Sequence, residues 1–444
     1  MVVSETTTRR MGGIPYKWVV AIVIIFGLFM TVLDTTIVNI AIPRLQAAFG
    51  ANLNSVQWVI TGYMLAQGVV TPLTAYMADR FGTKRVYLVA LAAFTVGSAL
   101  CGLAWNLPVL IFFRVLQGLG GALLTPLSIT LLYREFPPQE RGLAMGVLGI
   151  PILLAPAFGP TLGGYIVTFA NWPLIFYINV PIGIIGLIMG SIFLREFYSE
   201  HRSSFDLFGF LFSASGLAIL LYGLSSASTD GWGSMTVVGC IAIGIMLLAL
   251  FVIVELRIAH NGGQPLLNLG IFANGPFLSS NIASALVTFA LYGGLFVMPL
   301  YLQNLRGLSA FQAGLILLPQ AFASMIAVLV GGRLVDRIGV RAVVIPGLVL
   351  MVFANWQLSH LSLSLPYNSL QIILALRGFS IGLCMQPLMV SALSEIEPRQ
   401  LSQASALSTA LRFVFSSLTV AIVATVLQTQ ATVHTKHLAE GATA

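Results

Sequence analysis

The segment Ala75-Tyr-Met-Ala-Asp-Arg-Phe-Gly-Thr-Lys-Arg85 is a short charged turn between two long apolar runs, and the chain contains a second copy of it. The second copy, Gly332-Arg-Leu-Val-Asp-Arg-Ile-Gly-Val-Arg341, also lies between apolar runs. Four positions match at one spacing of 257 residues, namely Asp79 with Asp336, Arg80 with Arg337, Gly82 with Gly339, and Lys84 with Arg341. This single spacing predicts that the chain consists of two related halves.

The composition is typical of a membrane protein. The 444 residues are 58% hydrophobic and only 8% charged, and the mean hydropathy is +0.95, whereas about a quarter of the residues in soluble domains are charged. The apolar runs are long enough for a helix rising about 1.5 Å per residue to cross a hydrocarbon core of ~30 Å. The basic residues that give the net charge of +7 form no patch, so nucleic acid is not an expected partner.

Hydropathy predicts about thirteen membrane-spanning helices, and the fold class is therefore all-α and polytopic. Fifteen of the 21 Lys and Arg residues fall on one side of these spans and three on the other, which predicts a cytoplasmic N-terminus. The predicted spans are 18–40, 56–78, 86–105, 108–132, 142–168, 173–194, 207–226, 234–254, 276–302, 311–332, 342–360, 367–392 and 402–428.

Asp34 is the carboxylate that this assignment places well inside a span, where a charge costs at least a few kcal/mol and is usually functional. Asp34 in the first span and Arg114 in the fourth each lie about six residues from the outer end, roughly 9 Å deep. Because equal depth permits an ion pair, we expect Asp34 to be the proton site and Arg114 its partner. A static buried ion pair, or an Asp capping a local kink, is the alternative that the residues leave open.

Other polar residues inside the spans are candidates for a substrate cavity. Gln117 follows Arg114 by one helical turn, so it can bind either Arg114 or a substrate, or make a plain interhelical hydrogen bond. Arg377 has a depth in the second half similar to that of Arg114 in the first, and a purely structural role is equally open for it. With Asn39 of the first span and Asp34 itself, these residues form the predicted cavity set.

The charged turn is predicted to act as a gating latch at the cytoplasmic face. Asp79 ends the second span, where its carboxylate can cap the N-terminus of a neighbouring helix, and Gly82 permits the tight reversal that follows. The alternative is that these charges only anchor the helix ends. The predicted latch residues are Asp79, Arg80, Gly82, Lys84, Arg85, Asp336, Arg337 and Gly339.

Four further motifs lie along the first half of the chain. They are Leu33-Asp-Thr-Thr-Ile-Val-Asn-Ile-Ala-Ile-Pro43 in the first span, Arg114-Val-Leu-Gln-Gly-Leu-Gly120 in the fourth, a small-residue series in the fifth at Gly149, Gly159, Pro160, Gly163 and Gly164, and Phe176-Tyr-Ile-Asn-Val-Pro-Ile-Gly183 at the start of the sixth. Small residues let another helix approach closely, so the fifth span is expected to seal the two halves against each other, with plain packing as the alternative.

Together these motifs resemble the major facilitator superfamily, and specifically its fourteen-span drug:proton antiporter branch of the EmrB/QacA type, in which the fifth-span series is the antiporter motif. The resemblance implies two six-helix bundles around a cavity that opens alternately to each side. The domains are then 1–195, two extra helices in 196–260, and 261–444, where the second bundle shows five spans and lacks its sixth. Ala75, Pro173 and Asn268 depart from the pattern of the branch.

The function that the resemblance implies is proton-coupled efflux of amphipathic drugs or toxic small molecules across the inner membrane of a bacterial cell. Protons, lipid and the small-molecule substrate are the expected partners, together with a periplasmic adaptor protein of the kind that such exporters use. No cofactor, metal or enzymatic activity is expected. A facilitator or symporter for a single metabolite, and a non-transporting remnant without its last helix, are the alternatives.

Overall fold

Helices make up nearly all of the protein in this computed structural model, which describes residues 10–11, 14–51, 53–197, 205–261, 263 and 265–443 and confirms the all-α prediction. Two short strands, β1 (Arg10–Met11) and β2 (Ile14–Pro15), pair before the first helix. The helices are α1 (Tyr16–Phe49), α2 (Leu53–Val70), α3 (Leu73–Phe81), α4 (Thr83–Gly102), α5 (Leu107–Glu135), α6 (Arg141–Phe169), α7 (Leu174–Tyr177), α8 (Asn179–Phe193), α9 (Leu207–Asp230), α10 (Met235–His260), α11 (Gly275–Leu300), α12 (Ala310–Ile338), α13 (Val340–Leu358), α14 (Tyr367–Leu393) and α15 (Leu401–Thr443).

Among the described residues, eleven helical segments are long and apolar enough to cross a membrane. They do not include α2, α3 or α6, so the count of thirteen spans stays a prediction. The last helix is longer than the predicted span 402–428, because α15 continues without a break to Thr443.

The predicted second span, 56–78, is two helices rather than one, since α2 ends at Val70 and α3 begins at Leu73. Pro72 has no amide hydrogen to donate to the preceding turn, which breaks the helix here. The Thr71 hydroxyl donates to the Gln67 carbonyl and the Thr74 hydroxyl to the Thr71 carbonyl, each at 2.7 Å. Each of these carbonyls also accepts the backbone amide of the same threonine, so the hydroxyls add second bonds beside the break.

Each half has one helix at its centre. In the first half α5 packs against α1, α2 and α4, while α8 packs on α1 and α4. In the second half α14 packs against α11, α12 and α13, and α15 lies beside α11. The halves meet where α6 contacts α12 and α14, and where α3 and α5 contact α15. This arrangement leaves room for a cavity between the halves.

The extra helices α9 and α10 form a hairpin that touches both halves. Helix α9 packs against α2 on one side and α15 on the other. The Trp58 and Tyr222 rings stack with centroids 5.7 Å apart, and Trp232 Nε1 donates to Thr425 Oγ1 at 2.5 Å. The hairpin therefore connects α2 of the first half with α15 of the second.

Helices α6 and α12 approach closely at the end of the molecule that carries the charged turns. A Cβ added to Gly142 would lie 2.4 Å from the Gly332 carbonyl oxygen, and one added to Gly146 would lie 2.8 Å from the Val328 carbonyl oxygen. Any side chain would push the backbones apart, so glycine is required for this contact. The two halves are thus in direct backbone contact at this end.

Candidate functional site

The structure brings Asp34 of α1 and Arg114 of α5 into a buried ion pair. Arg114 Nη1 lies 2.6 Å from Asp34 Oδ2, and both side chains have essentially no exposed surface. Arg114 Nε also donates to the Val59 carbonyl at 3.0 Å, and the guanidinium carbon lies 4.1 Å from the centroid of the Tyr63 ring. The arginine is therefore held by backbone and ring as well as by the carboxylate.

Two amide side chains complete the surroundings of Asp34. Gln117 Nε2 donates to Asp34 Oδ1 at 2.9 Å, and Asn179 Nδ2 donates to the same oxygen at 3.0 Å. Gln117 also accepts from Arg114 Nη1 at 2.8 Å, so it touches both members of the pair. The carboxylate thus receives hydrogen bonds from three side chains on two helices, α5 and α8, and its buried negative charge is well stabilised.

Asn179 and Ser98 belong to this site, although sequence reasoning gave neither a role. Asn179 Nδ2 also contacts Ser98 Oγ at 3.1 Å, and Ser98 Oγ donates to the Phe176 carbonyl at 2.9 Å. Asn179 lies within the quoted motif at the start of the sixth span, which was the available signal for it. Its Oδ1 atom is buried and has no hydrogen-bond partner in the described part of the chain.

The second half buries its own arginine differently. Arg377 of α14 is 1% exposed, and its guanidinium donates to Asn355 Oδ1 and Gln320 Oε1, each at 3.3 Å, and to the Ala290 carbonyl. No carboxylate within 265–443 forms a salt bridge with it. Among the described residues, only neutral oxygens accept hydrogen bonds from it.

A small cavity of about 40 Å³ lies between the two halves, with walls from α5, α6, α11, α14 and α15. Its walls combine apolar side chains such as Ile152, Met385 and Phe415 with polar ones such as Gln386 and Arg412. None of the four residues predicted for a substrate cavity is among its described lining residues.

Those four residues lie elsewhere in the molecule. Asp34 and Gln117 are sealed inside the first half and Arg377 inside the second. Asn39 is exposed, and its side chain donates to the Thr35 carbonyl of its own helix. Any role for these residues in binding a substrate stays a prediction.

The second copy of the charged turn contacts the other half of the molecule through Asp336. Asp336, near the end of α12, accepts hydrogen bonds from the backbone amides of Gly142 at 2.8 Å and Leu143 at 3.0 Å, at the start of α6. A carboxylate at the positive end of a helix is favourable. Arg337 and Gly339 are exposed in this structure.

The first copy is tied mainly to its own half. Glu196, which follows α8, accepts from the backbone amides of Lys84 at 2.8 Å and Arg85 at 3.1 Å, at the start of α4. Lys84 Nζ donates to the Ser191 carbonyl at 2.7 Å, while Arg80 is exposed. Asp79 is buried near the end of α3, the helix that packs against α15. Glu196 is a capping residue that the sequence did not reveal.

The small residues of α6 face in two directions. A Cβ added to Gly149 would meet Gln386 and Val328 of the second half, whereas one added to Gly159 would meet Thr36 and one added to Gly163 would meet Ile37, both on α1. The nearest atom to a Cβ added to Gly164 would be the Phe311 amide nitrogen at 3.9 Å, and the side chain of Pro160 lies outside what the structure describes. Only part of the motif therefore lies between the halves.

A second buried carboxylate group, also missed from the sequence, lies at the base of the α9–α10 hairpin. Asp206 Oδ1 accepts from the Gly209 amide at 2.9 Å, and Glu255 Oε2 lies 3.4 Å from the Leu267 amide nitrogen. Glu255 is 1% exposed. The predicted span 234–254 ended one residue before Glu255, whereas α10 continues to His260, so this acid was not counted as buried.

Comparison with known proteins gives a family for this architecture. The sequence profile of the Major Facilitator Superfamily matches residues 24–420. The chain is 34% identical over 408 residues to a multidrug resistance protein B homolog of Mycobacterium tuberculosis, covering 90% of this chain and 74% of that protein. It is 33% identical over 389 residues to a tetracenomycin C resistance and export protein of Streptomyces glaucescens, covering 87% of this chain and 70% of the relative.

Solved structures show the same fold. The crystal structure of the human organic anion transporter MFSD10 (TETRAN) superposes with a TM-score of 0.66, covering 92% of this chain and 93% of that one at 18% identity. The profile match and the two relatives carry the family assignment, and this likeness supports the fold. The chain belongs to the Major Facilitator Superfamily and is a multi-pass membrane transporter, not an enzyme.

Proposed function

We propose that the chain exports amphipathic small molecules from the cytoplasm in exchange for protons, as a drug:proton antiporter of the EmrB/QacA type in the inner membrane. The domains are 1–195, 196–260 and 261–444, and the N-terminus is cytoplasmic. Two relatives are named for drug resistance or export, and these names support the proposed substrate class and the outward direction of transport. The excess of Lys and Arg on the side of the N-terminus supports the orientation.

The observation that carries the proposal is the buried Asp34 carboxylate. When Asp34 takes up a proton, its ion pair with Arg114 is lost, yet Arg114 keeps the Val59 carbonyl, the Gln117 amide oxygen and the Tyr63 ring. The protonated carboxyl becomes a donor. The Asn179 Oδ1 atom, which has no partner among the described residues, can accept from it after a rotation of the amide. Both protonation states are therefore compatible with the site.

The contacts between the halves support alternating access. At the end that carries the charged turns, Asp336 binds the start of α6, and Ser405 Oγ lies 3.0 Å from Thr130 Oγ1. These bonds join α12 to α6 and α15 to α5, so the structure is closed at this end. Opening it requires breaking these polar contacts and separating buried apolar side chains of the two halves, such as Ala144 and Val335, which belong to one cluster.

The test is transport by the full chain in proteoliposomes, with dansylglycine, its methyl ester and dansyl ethylenediamine as amphipathic probes. We expect movement of at least one probe to be accompanied by protons moving in the opposite direction, and Asp34→Asn to abolish both proton movement and accumulation against a gradient. The matched control is Glu397→Gln, which removes an exposed carboxylate that contacts Arg399.

Three outcomes would contradict the proposal. Proton-coupled transport that survives in Asp34→Asn would remove the proton site. Probe flux without proton movement in the unmodified chain would indicate a facilitator, and probe binding without flux would indicate a protein that does not transport. An unchanged apparent Tm for Asp34→Asn, together with retained probe binding, separates loss of coupling from misfolding.

A further inference from the structure

The cavity between the halves is lined by one charged residue. Arg412 of α15 is its single ionisable lining residue in the described chain, and no Asp or Glu lies in its wall. Arg412 forms no salt bridge and no hydrogen bond with the described residues. The other two arginines inside the predicted membrane spans differ, because Arg114 and Arg377 each make several hydrogen bonds.

An unpaired guanidinium inside a protein is costly, so it indicates that a partner of opposite charge binds there. Arg412 is half-buried in the wall of this cavity, and the described residues accept none of its hydrogen bonds. Guanidinium presents a planar fork of N–H groups that matches a carboxylate in a bidentate fashion. The planar guanidinium therefore favours a planar oxyanion, such as a carboxylate, over a spherical anion.

A second, independent observation comes from Ser408. Ser408 lies one helical turn before Arg412 on the same face of α15, and both line the cavity. Its side chain is 6% exposed, and its Oγ atom is buried without a hydrogen-bond partner among the described residues. A buried hydroxyl without a partner is also unfavourable, and an anion next to Arg412 would accept its hydrogen bond.

The rest of the wall suits the apolar part of such a compound. Phe415 follows Arg412 on α15, and Met385 and Met389 line the cavity from α14. Methionine side chains adapt to irregular apolar shapes, and an aromatic ring can stack on a planar ligand. The cavity has about 40 Å³ of free volume in this structure, so a compound of this kind binds only when the halves move further apart.

We propose that this cavity binds an amphipathic organic anion, with Arg412 as the counter-ion of a carboxylate or similar oxyanion and Ser408 as an additional donor. The proposal rests on the proposed export function and names its substrate class. It separates this transporter from one that selects cationic drugs, because a cation would meet the fixed positive charge of Arg412 and find no acidic partner in the described wall.

The test is equilibrium binding to the purified full chain, without any gradient, of three probes with one fluorophore. Dansylglycine is an anion, its methyl ester is neutral, and dansyl ethylenediamine is a cation. We expect dansylglycine to bind at least about tenfold more tightly than the ester, and Arg412→Gln to weaken dansylglycine by about tenfold to a hundredfold. The same variant should change the affinity for the ester less than about twofold, since the ester makes no charge-assisted bond.

Two further variants distinguish a specific loss of binding from misfolding. Gln386→Glu leaves Arg412 in place but adds a carboxylate to the same cavity, so it should remove the preference for the acid over the ester. Arg399→Gln, which removes an exposed arginine near the start of α15, should bind all three probes as the unmodified chain does. Apparent Tm and size-exclusion profiles identify variants that do not fold.

Several results would overturn the inference. They are equal affinities for the acid and the ester, tighter binding of the cation, or an equal loss for all three probes in folded Arg412→Gln. Because binding is measured without a proton gradient, a failure of proton coupling leaves this result unaffected. Conversely, proton-coupled export of the cation alone would uphold antiport and refute the anion site.

Discussion

The two halves of the molecule each bury an arginine on their central helix, but they neutralise it in different ways. Arg114 in the first half faces the Asp34 carboxylate at 2.6 Å, whereas Arg377 in the second half is surrounded by neutral amide and carbonyl oxygens. A carboxylate can gain or lose a proton near neutral pH in a suitable environment, and an amide cannot. Under the proposed function, only the first half therefore holds a group in this position that can exchange a proton.

The charged turns show the same divergence. The Glu196 carboxylate binds backbone amides at the start of α4, within the first half, while the Asp336 carboxylate binds those at the start of α6, across the boundary between the halves. Both contacts place a negative charge at a helix N-terminus, where it is favourable. One contact lies within the first half, and the other joins the two halves, which the proposed mechanism requires to separate.

The largest effect should come from the buried arginines. Arg114→Gln leaves the Asp34 charge buried without its cationic partner, which typically costs about 3–5 kcal/mol. Arg377→Gln removes a charge that has no anionic partner in the described chain, and we expect a cost of about 1–3 kcal/mol. Transport should fall to background in the first variant and decrease partially in the second, as measured by proteoliposome flux and apparent Tm.

A double variant sharpens this comparison. Asp34→Asn combined with Arg114→Gln removes both charges, so we expect much of the lost thermal stability to return while proton-coupled transport stays absent. Equal losses from Arg114→Gln and Arg377→Gln would show that the halves do not differ in the way described. Recovery of transport in the double variant would show that Asp34 carries no proton.

An intermediate effect should come from the two capping carboxylates. Asp336→Asn weakens a contact that exists only while the halves are closed at this end, so we expect a change of about threefold to tenfold in the initial transport rate, consistent with a loss of about 1 kcal/mol. Glu196→Gln weakens a contact within one half, so it should lower the apparent Tm with little change in the rate per folded molecule. The opposite pattern would contradict the assignment of Asp336 as an interdomain latch.

The sequence revealed much of this architecture because each apolar run corresponds to a helix or to two consecutive ones. Equal depth in the membrane was also enough to expect that Asp34 and Arg114 could meet, and they do. Hydropathy did not reveal the partners that approach from other segments, such as Asn179 at Asp34 and Glu196 at the first charged turn. Those contacts depend on how each helix is rotated about its own axis. The sequence of a helix that is apolar on all sides does not show this rotation.

The cavity was the least predictable part for the same reason. Depth in the membrane does not show which way a side chain faces: α14 turns Arg377 into its own bundle, whereas α15 turns Arg412 into the space between the halves. The predicted residue Asn39 is exposed and hydrogen-bonded within its own helix. Only the packing of whole bundles decides which of these polar side chains can reach a substrate.

The smallest effect is a difference between the two turn glycines. Gly82 and Gly339 have φ of +92° and +85°, values that strain any other residue, so alanine at either position should cost about 1–3 kcal/mol. A Cβ at Gly82 would also lie 2.4 Å from Glu196 Oε1, whereas one at Gly339 would meet no described atom within 4 Å. Gly82→Ala should therefore lower the apparent Tm more than Gly339→Ala. The two losses should also differ in the Glu196→Gln background, because the amide oxygen of Gln occupies the position of the Glu196 carboxylate oxygen. Equal losses in the unmodified background would show that Glu196 moves aside without cost, and that this cap contributes little to the first half.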